Sequence, residues 1–82
     1  MKLPRGVSGD ELIRALRKYG YQATRQTGSH IRLTSIIKKT QHHITIPRRK
    51  SLALGTLNSI LNNLAGYLEM DKETLVAELF GQ

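Results

Sequence analysis

The stretch RQTGSHIR, residues 25–32, joins two segments that have the residue pattern of β-strands. A two-residue hairpin turn of type II′ requires glycine at its first central position. Gly28-Ser29 meets this requirement, so Thr27 and His30 should face each other across the turn. We therefore predict an antiparallel hairpin whose second strand begins at His30.

This register also places Arg25 opposite Arg32 on one face of the hairpin. Two directly opposed arginines destabilise a strand pair unless an anion lies between them, and a phosphate would serve. The same register puts Tyr21 and Ala23 on that face, where polar side chains are expected. A β-bulge in the first strand would remove the conflict.

Three short segments are predicted as strands: 21–27, 30–36 and 42–47. The second and third alternate between apolar and polar residues, which gives each strand one apolar and one polar face. We expect the apolar faces to pack on helices and the polar faces, which carry His30, Arg32 and His43, to stay open to solvent. Pro47 should end the third strand or lie at its edge.

Helices are predicted on both sides of these strands. Ser8 and Glu11 fit a capping box before a first helix that ends at Gly20. A second helix is marked by Leu57, Ile60, Leu61 and Leu64 and is expected to stop at Gly66. A third, shorter helix follows an N-cap at Asp71 and is marked by Leu68, Leu75, Val76, Leu79 and Phe80. The predicted fold is α+β, α-β-β-β-α with a short extra C-terminal helix and a three-stranded antiparallel sheet.

The chain length and composition limit the possible function classes. Eighty-two residues suit a single domain, residues 1–82, with a thin core. The absence of cysteine excludes disulfides, thiolate zinc sites and a thiol nucleophile. No apolar run approaches the ~20 residues of a membrane span, and residues 1–8 lack the apolar segment of a secretory signal. We expect a cytoplasmic protein with no membrane partner.

Charge is distributed unevenly along the chain. Residues 1–50 carry 12 Lys/Arg and 2 Asp/Glu, a net charge of +10, whereas residues 51–82 carry 1 and 4, a net charge of −3. This asymmetry favours a polyanionic partner, above all nucleic acid, over cations that serve solubility alone. Basic residues of the turns are further candidates for phosphate contacts: Lys38, Lys39, Arg48, Arg49 and Lys50.

His30 is the residue best suited to acid–base chemistry. The reference pKa of histidine, ~6.5, lets it accept or release a proton near neutrality. RNA carries its own nucleophile, the 2′-hydroxyl, beside each phosphate, so cleavage needs no metal if arginine stabilises that phosphate. The alternative is a polar strand residue without a chemical role.

The other two histidines do not form a metal site in this reading. His42 and His43 are adjacent and should point to opposite faces of a strand, so they cannot chelate one ion together. A zinc ion between His30 and His43 would lack two ligands. We expect His43 on the open face, able to assist there, and His42 toward the helices as a structural residue.

Several motifs, in this order and spacing, resemble the HicA toxins of bacterial toxin–antitoxin systems: Tyr19-Gly20-Tyr21, Gly28-Ser29-His30, Ile46-Pro47, Leu54-Gly-Thr-Leu57 and Ser59-Ile-Leu61. The resemblance implies a small α-β-β-β-α protein similar to double-stranded-RNA-binding domains. It also implies a ribosome-independent mRNA endonuclease that a HicB antitoxin neutralises. The essential catalytic histidine of the family follows Gly-Ser, which corresponds to His30.

The chain departs from the family pattern at two places. Many members have a second histidine directly after the first, where this chain has Ile31 on the predicted core face. Many also have a histidine shortly after the proline, where this chain has Arg48-Arg49. Any assistance from that histidine is missing here or is replaced by the charge of arginine.

The leading hypothesis is a toxin ribonuclease with His30 as its catalytic residue and with neither metal nor cofactor. Its partners would be mRNA and a HicB-type antitoxin. The alternative is a non-catalytic RNA-binding module of the same fold, and a DNA-binding regulator is weaker because no helix combines base-reading residues with helix-turn-helix spacing. The predicted RNA contacts are Arg25, Gly28, Ser29, Arg32, Lys38, Lys39, His43, Arg48, Arg49 and Lys50.

Overall fold

The computed structural model describes residues 2–81, which form three helices and three strands. Helix α1 continues into a short 3-10 helix, Leu16–Tyr19, before the sheet begins. The elements in chain order are α1 (Gly9–Ala15), β1 (Gln22–Thr27), β2 (His30–Ser35), β3 (His42–Pro47), α2 (Leu54–Leu68) and α3 (Lys72–Phe80). This order confirms the predicted α+β fold with a three-stranded antiparallel sheet and an extra C-terminal helix.

The hairpin between β1 and β2 has the predicted register. Thr27 pairs with His30 and Arg25 pairs with Arg32. Gly28 has a φ of 58°, in the left-handed region that the first central position of a type II′ turn occupies. An added Cβ at Gly28 would meet no atom within 4 Å, so the backbone conformation alone requires glycine there.

The predicted bulge in β1 is also confirmed. The pairing register shifts between Ala23 and Arg25, which leaves Thr24 as the extra residue. The shift turns Tyr21 into the core, where it is 1% exposed, while Arg25 stays opposite Arg32. Because of this one extra residue, the Tyr21 side chain can be buried in the core while Arg25 still pairs with Arg32 on the opposite face of the sheet.

The core lies between one face of the sheet and the helices. Its sheet side consists of Ile31, Leu33, Ile44 and Ile46, the apolar residues of the predicted alternation. Its helix side is formed mainly by Leu12, Leu16, Leu57, Leu61, Leu64 and Leu75. Each such side chain contributes about 1.5–3 kcal/mol on burial. All three helices thus contribute to one apolar layer, and the opposite face of the sheet carries polar residues.

The helix starts agree with the sequence prediction. Ser8 Oγ accepts a hydrogen bond from the backbone N–H of Glu11, and Glu11 Oε1 accepts one from the N–H of Ser8, each at 3.0 Å. Asp71 Oδ2 accepts from the N–H of Thr74 at 3.2 Å and caps α3. The end of α1 and its 3-10 extension at Gly20, with a φ of 79°, is confirmed as well.

The predicted end of α2 at Gly66 is wrong. The helix continues to Leu68, which had been assigned to α3, and ends at Glu69 in the left-handed conformation with a φ of 56°. Leu68 is 6% exposed and extends the apolar stripe that includes Leu64. Its burial outweighs the roughly 1 kcal/mol that glycine costs inside a helix.

His42 points toward the helices, as predicted, and belongs to a hydrogen-bonded network. Its Nδ1 lies 2.6 Å from the hydroxyl of Tyr21, and its Nε2 lies 3.0 Å from Oδ1 of Asn63. Its ring stacks on Tyr67 with a centroid separation of 4.5 Å. Burial raises the pKa of Tyr21, so the phenol in this hydrogen bond stays protonated. This network ties β3 and the residue directly before β1 to α2.

Candidate functional site

The face of the sheet opposite the helices is called the open face here. Along β2 it presents His30, Arg32 and Thr34, and along β3 it presents their pairing partners Pro47, Thr45 and His43. The imidazole of His30 is exposed and lies at the start of β2, directly after the Gly28-Ser29 turn. The alternation of β2 therefore places His30 and Arg32 on the same polar face, as the sequence predicts.

A depression of about 350 Å³ lies on the open face beside His30 and is called the sheet depression. Its lining residues come from all three strands: Arg25, Thr27, His30, Arg32 and Thr45. Two guanidinium groups and one imidazole thus surround a single shallow site. That combination suits an anion of the size of a phosphate.

Arg32 carries an unsatisfied polar atom beside the sheet depression. Its Nε is buried and has no hydrogen-bond partner among residues 2–81. A buried N–H without an acceptor costs about 1–3 kcal/mol, and more when the group is charged. None of the ion pairs among residues 2–81 involves Arg25 or Arg32. An anion bound between the two opposed arginines would relieve the repulsion between them.

His43 lies on the open face but away from His30. Its Nδ1 lies 2.8 Å from Oγ1 of Thr34, which in turn lies 2.8 Å from Oγ1 of Thr24. Thr34 is four residues along β2 from His30, a distance of about 13 Å at the rise of a strand. The two histidines therefore cannot act on opposite sides of one phosphodiester bond, and His43 remains a predicted RNA contact.

A second depression, of about 540 Å³, begins on the other side of His30 and is called the trench. It lies between the segment after β3 and the start of α2. Its lining residues are His30, Pro47, Arg49, Ser51, Leu52, Ala53 and Thr56. Sequence reasoning identified Arg49 but missed Ser51 and Thr56, although Thr56 belongs to the Leu54-Gly-Thr-Leu57 motif.

The segment that forms one wall of the trench is held by backbone hydrogen bonds. The N–H of Arg48 donates to the carbonyl of Ser29 at 2.7 Å, which links this segment to the turn before His30. The N–H of Gly9 donates to the carbonyl of Arg49 at 2.9 Å. Helix α1 and the hairpin turn therefore fix the backbone at the start of the trench wall, at Arg48 and Arg49.

Gly9 allows this close approach because it has no side chain. A Cβ at that position would lie 2.1 Å from the carbonyl oxygen of Pro47 and 3.0 Å from Cα of Arg48. Both neighbours are backbone atoms, so they cannot move aside as a flexible side chain would. Any other residue at this position would push α1 away from the segment after β3.

Arg48 has a partner within the chain. Its Nε donates to Oδ1 of Asp10 at 2.9 Å and its Nη2 donates to Oδ2 at 3.2 Å. These hydrogen bonds and the charge of Arg48 lower the pKa of Asp10. Sequence reasoning did not find this pair because 38 residues separate its members. If Arg48 also contacts RNA, its guanidinium group must bind a phosphate and the Asp10 carboxylate at the same time.

The remaining predicted contacts lie at different distances from His30. Lys38 and Lys39 lie in the loop after β2, at the far end of the strand, and Nζ of Lys38 pairs with Oε1 of Glu69 at 2.9 Å. Lys50 is exposed in the segment between β3 and α2. The structure thus gathers Arg25, Arg32 and Arg49 around His30 and leaves Lys38 and Lys39 about 20 Å away along the strand direction.

The described residues also limit other kinds of site. Among residues 2–81, no three histidine, aspartate or glutamate side chains come together in a way that could hold a metal ion. Within the same range, no helix has the length and apolar character needed to cross a bilayer.

Comparison with known protein families identified a match. The family described as the HicA toxin of bacterial toxin–antitoxin systems matches residues 9–65, from the start of α1 into α2. This range contains His30, both arginines of the sheet depression and the whole trench. Comparison with curated proteins and with solved structures returned no match. The match covers more than half of the chain, and the chain therefore belongs to the HicA toxin family.

Proposed function

We propose that this toxin is a ribosome-independent endoribonuclease that cleaves mRNA, with His30 as its catalytic residue and without a metal ion. The observation that carries the proposal is the position of His30 at the edge of a depression that holds Arg25 and Arg32. The direct opposition of these two arginines, neither of which takes part in an ion pair among residues 2–81, supports the presence of a phosphate there.

The reaction follows from the chemistry of the substrate. The 2′-oxygen of RNA attacks the adjacent phosphorus, the bond from phosphorus to the 5′-oxygen breaks, and a 2′,3′-cyclic phosphate and a 5′-hydroxyl result. One proton leaves the 2′-hydroxyl and one reaches the 5′-oxygen. His30 transfers one of these protons, which typically accelerates a reaction about 10²–10⁴-fold, and water handles the other because His43 is too distant.

The arginines stabilise the charge that develops on the phosphate. Strand pairing fixes the backbone of Arg25 and Arg32 on either side of the sheet depression, so both cations lie beside the position where the pentavalent phosphorus would form. Further phosphates of the same strand would contact the other predicted residues: Gly28, Ser29, Lys38, Lys39, His43, Arg48, Arg49 and Lys50. Such contacts would make binding strongly salt-dependent.

A HicB-type antitoxin is the proposed protein partner. The two arginines of the sheet depression have no carboxylate partner among residues 2–81, so an acidic antitoxin surface would complement them. Placed over the open face, that surface would shield His30 from RNA. Neutralisation would then be steric and electrostatic.

The alternative is a non-catalytic RNA-binding module. One observation favours it: among residues 2–81, no second histidine lies within reach of the phosphate that His30 would contact, since His43 is about 13 Å along the strand. In this reading His30 binds a phosphate or a 2′-hydroxyl and transfers no proton.

Cleavage of labelled RNA in a metal chelator separates the two readings. We expect the purified toxin to cut RNA and to leave a matched oligonucleotide with 2′-deoxyribose at every position bound but whole, because the nucleophile is missing. The RNA products should carry cyclic phosphate ends. Bound and intact RNA would support the module, and cleavage of the deoxy analogue would contradict attack by the 2′-hydroxyl.

A further inference from the structure

We propose that the trench is a nucleotide subsite for the residue on one side of the cleaved bond, and that it sets the nucleotide preference at that position. The inference rests on the proposed ribonuclease function and extends it. An internal phosphodiester has a nucleotide on each side, so an enzyme that cuts it must accommodate both. The sheet depression alone can accommodate the nucleotide on only one side of a phosphate bound at His30.

The placement of His30 supports this assignment. It lines both the sheet depression and the trench, and the two share no other lining residue. The sheet depression is built from strand residues, whereas the trench is built from the segment after β3 and the first turn of α2. A strand of RNA whose phosphate lies at His30 would therefore have the sheet depression and the trench as its two neighbouring surfaces.

The walls of the trench combine the two kinds of surface that a nucleotide requires. Pro47, Leu52 and Ala53 form an apolar part, and Leu52 is 4% exposed, so it forms a fixed floor. The hydroxyls of Ser51 and Thr56 can each donate and accept a hydrogen bond. Apolar walls with a few placed polar groups are typical of small-molecule sites.

Arg49 supplies the charge for the same nucleotide. Its side chain is exposed and takes part in no ion pair or side-chain hydrogen bond among residues 2–81. In contrast, the neighbouring Arg48 is paired with Asp10. Of these two adjacent arginines, the unpaired one lines the trench, where it is available to the phosphate of the bound nucleotide.

The trench can discriminate between bases because its wall is fixed. The N–H of Leu52 donates to the carbonyl of Val7 at 2.7 Å, and the carbonyl of Arg49 accepts from Gly9. These two hydrogen bonds hold the segment that lines the trench near its first residue, Arg49, and near its end, at Leu52. Bases of single-stranded RNA are read by hydrogen bonds to their edges, and a fixed wall keeps its hydroxyls in one arrangement.

The test maps the cut sites in a pool of random-sequence RNA for three proteins: wild type, Thr56→Val and Thr56→Trp. Asn62→Trp, at an exposed position of α2 outside the trench, is the matched control. We expect Thr56→Val to change the base frequencies on one side of the cut about fivefold, the effect of one net hydrogen bond. Thr56→Trp should fill the trench and lower the cleavage rate further below the wild-type rate than Thr56→Val does. The control Asn62→Trp should cleave at the wild-type rate and with wild-type base frequencies.

Unchanged base frequencies on both sides of the cut in Thr56→Val, with wild-type rates for Thr56→Trp, would overturn the inference and leave the ribonuclease function intact. If the wild type cuts no RNA, the proposed ribonuclease function is wrong. Changes in the backbone amide NMR shifts on addition of RNA then test separately whether the trench binds a nucleotide. The probe is a short RNA with one 2′-deoxyribose. Shifts at Ser51 and Thr56 together with His30 would support a nucleotide subsite, and shifts confined to the sheet depression would contradict it.

Discussion

Arg25 lies directly opposite Arg32 across the β1–β2 ladder, and the buried Nε of Arg32 has no hydrogen-bond partner within residues 2–81. A pair of like charges in this arrangement destabilises the free protein. A bound anion between the two guanidinium groups would offset this repulsion. Two uncompensated positive charges thus lie beside the exposed His30. Such an unfavourable charge pair in the free protein is expected where a phosphate binds.

Replacing Arg32 by glutamine should weaken RNA binding while the protein becomes no less stable. The change removes a phosphate contact and also removes the repulsion with Arg25. We expect the slope of log K against log salt concentration to fall by about one unit. The measurement is a salt titration of RNA affinity beside a urea denaturation curve. Arg14→Gln on α1 is the control, and equal effects of the two variants on the slope would contradict the assignment.

Gly9→Ala should destabilise the fold by about 1–3 kcal/mol because the new methyl group collides with the carbonyl of Pro47. The matched control is Gly66→Ala, inside α2, where an added Cβ meets no atom within 4 Å. That variant should gain up to about 1 kcal/mol from helix propensity. Urea denaturation measures both, and a neutral Gly9→Ala would show that α1 does not need this close contact.

Asp10→Asn should alter the dependence of stability on pH. Arg48 holds the pKa of Asp10 below its ordinary value of 3.8, so the folded state favours the ionised carboxylate. The stabilisation is therefore complete above pH 3.8 and is lost as the pH falls through the lower pKa of the folded state.

Thermal denaturation between pH 2 and pH 7 checks this effect. The variant should melt below wild type at pH 7, and the two curves should converge at the acidic end. The difference should be small because both groups are exposed. A melting-temperature difference that stays constant over the whole range would contradict an origin in the ionised Asp10.

The local parts of the fold were predictable from sequence, and the reason is physical. The hairpin depends on one glycine at a position that needs positive φ, and the bulge follows from the demand that Tyr21 be buried while Arg25 stays polar-facing. Such rules act over a few residues. His30 and Arg32 could therefore be placed on one face before any tertiary contact was known.

The parts that sequence missed depend on packing between distant segments. The end of α2 is set by burial of Leu68 and overrides Gly66. The pair formed by Asp10 and Arg48 joins α1 to the segment after β3. The trench likewise needs that segment beside α2, and no periodicity or turn rule contains this information.

His42→Ala should cost about 1–3 kcal/mol of stability, because it leaves the hydroxyl of Tyr21 without its partner in a partly buried site. His43→Ala is the matched control on the open face and should be nearly neutral for stability. Urea denaturation of both variants measures the difference. Equal stability of the two would contradict a structural role for the His42 network.

The most direct test of the central claim is the single-turnover rate of RNA cleavage by His30→Ala in a metal chelator. Wild type and His43→Ala serve as references, and circular dichroism verifies that the variant is folded. The account predicts that the rate falls about 10²–10⁴-fold for His30→Ala while RNA remains bound, and that His43→Ala retains most of its activity. Cleavage by folded His30→Ala at the wild-type rate would contradict the claim that His30 is the catalytic residue.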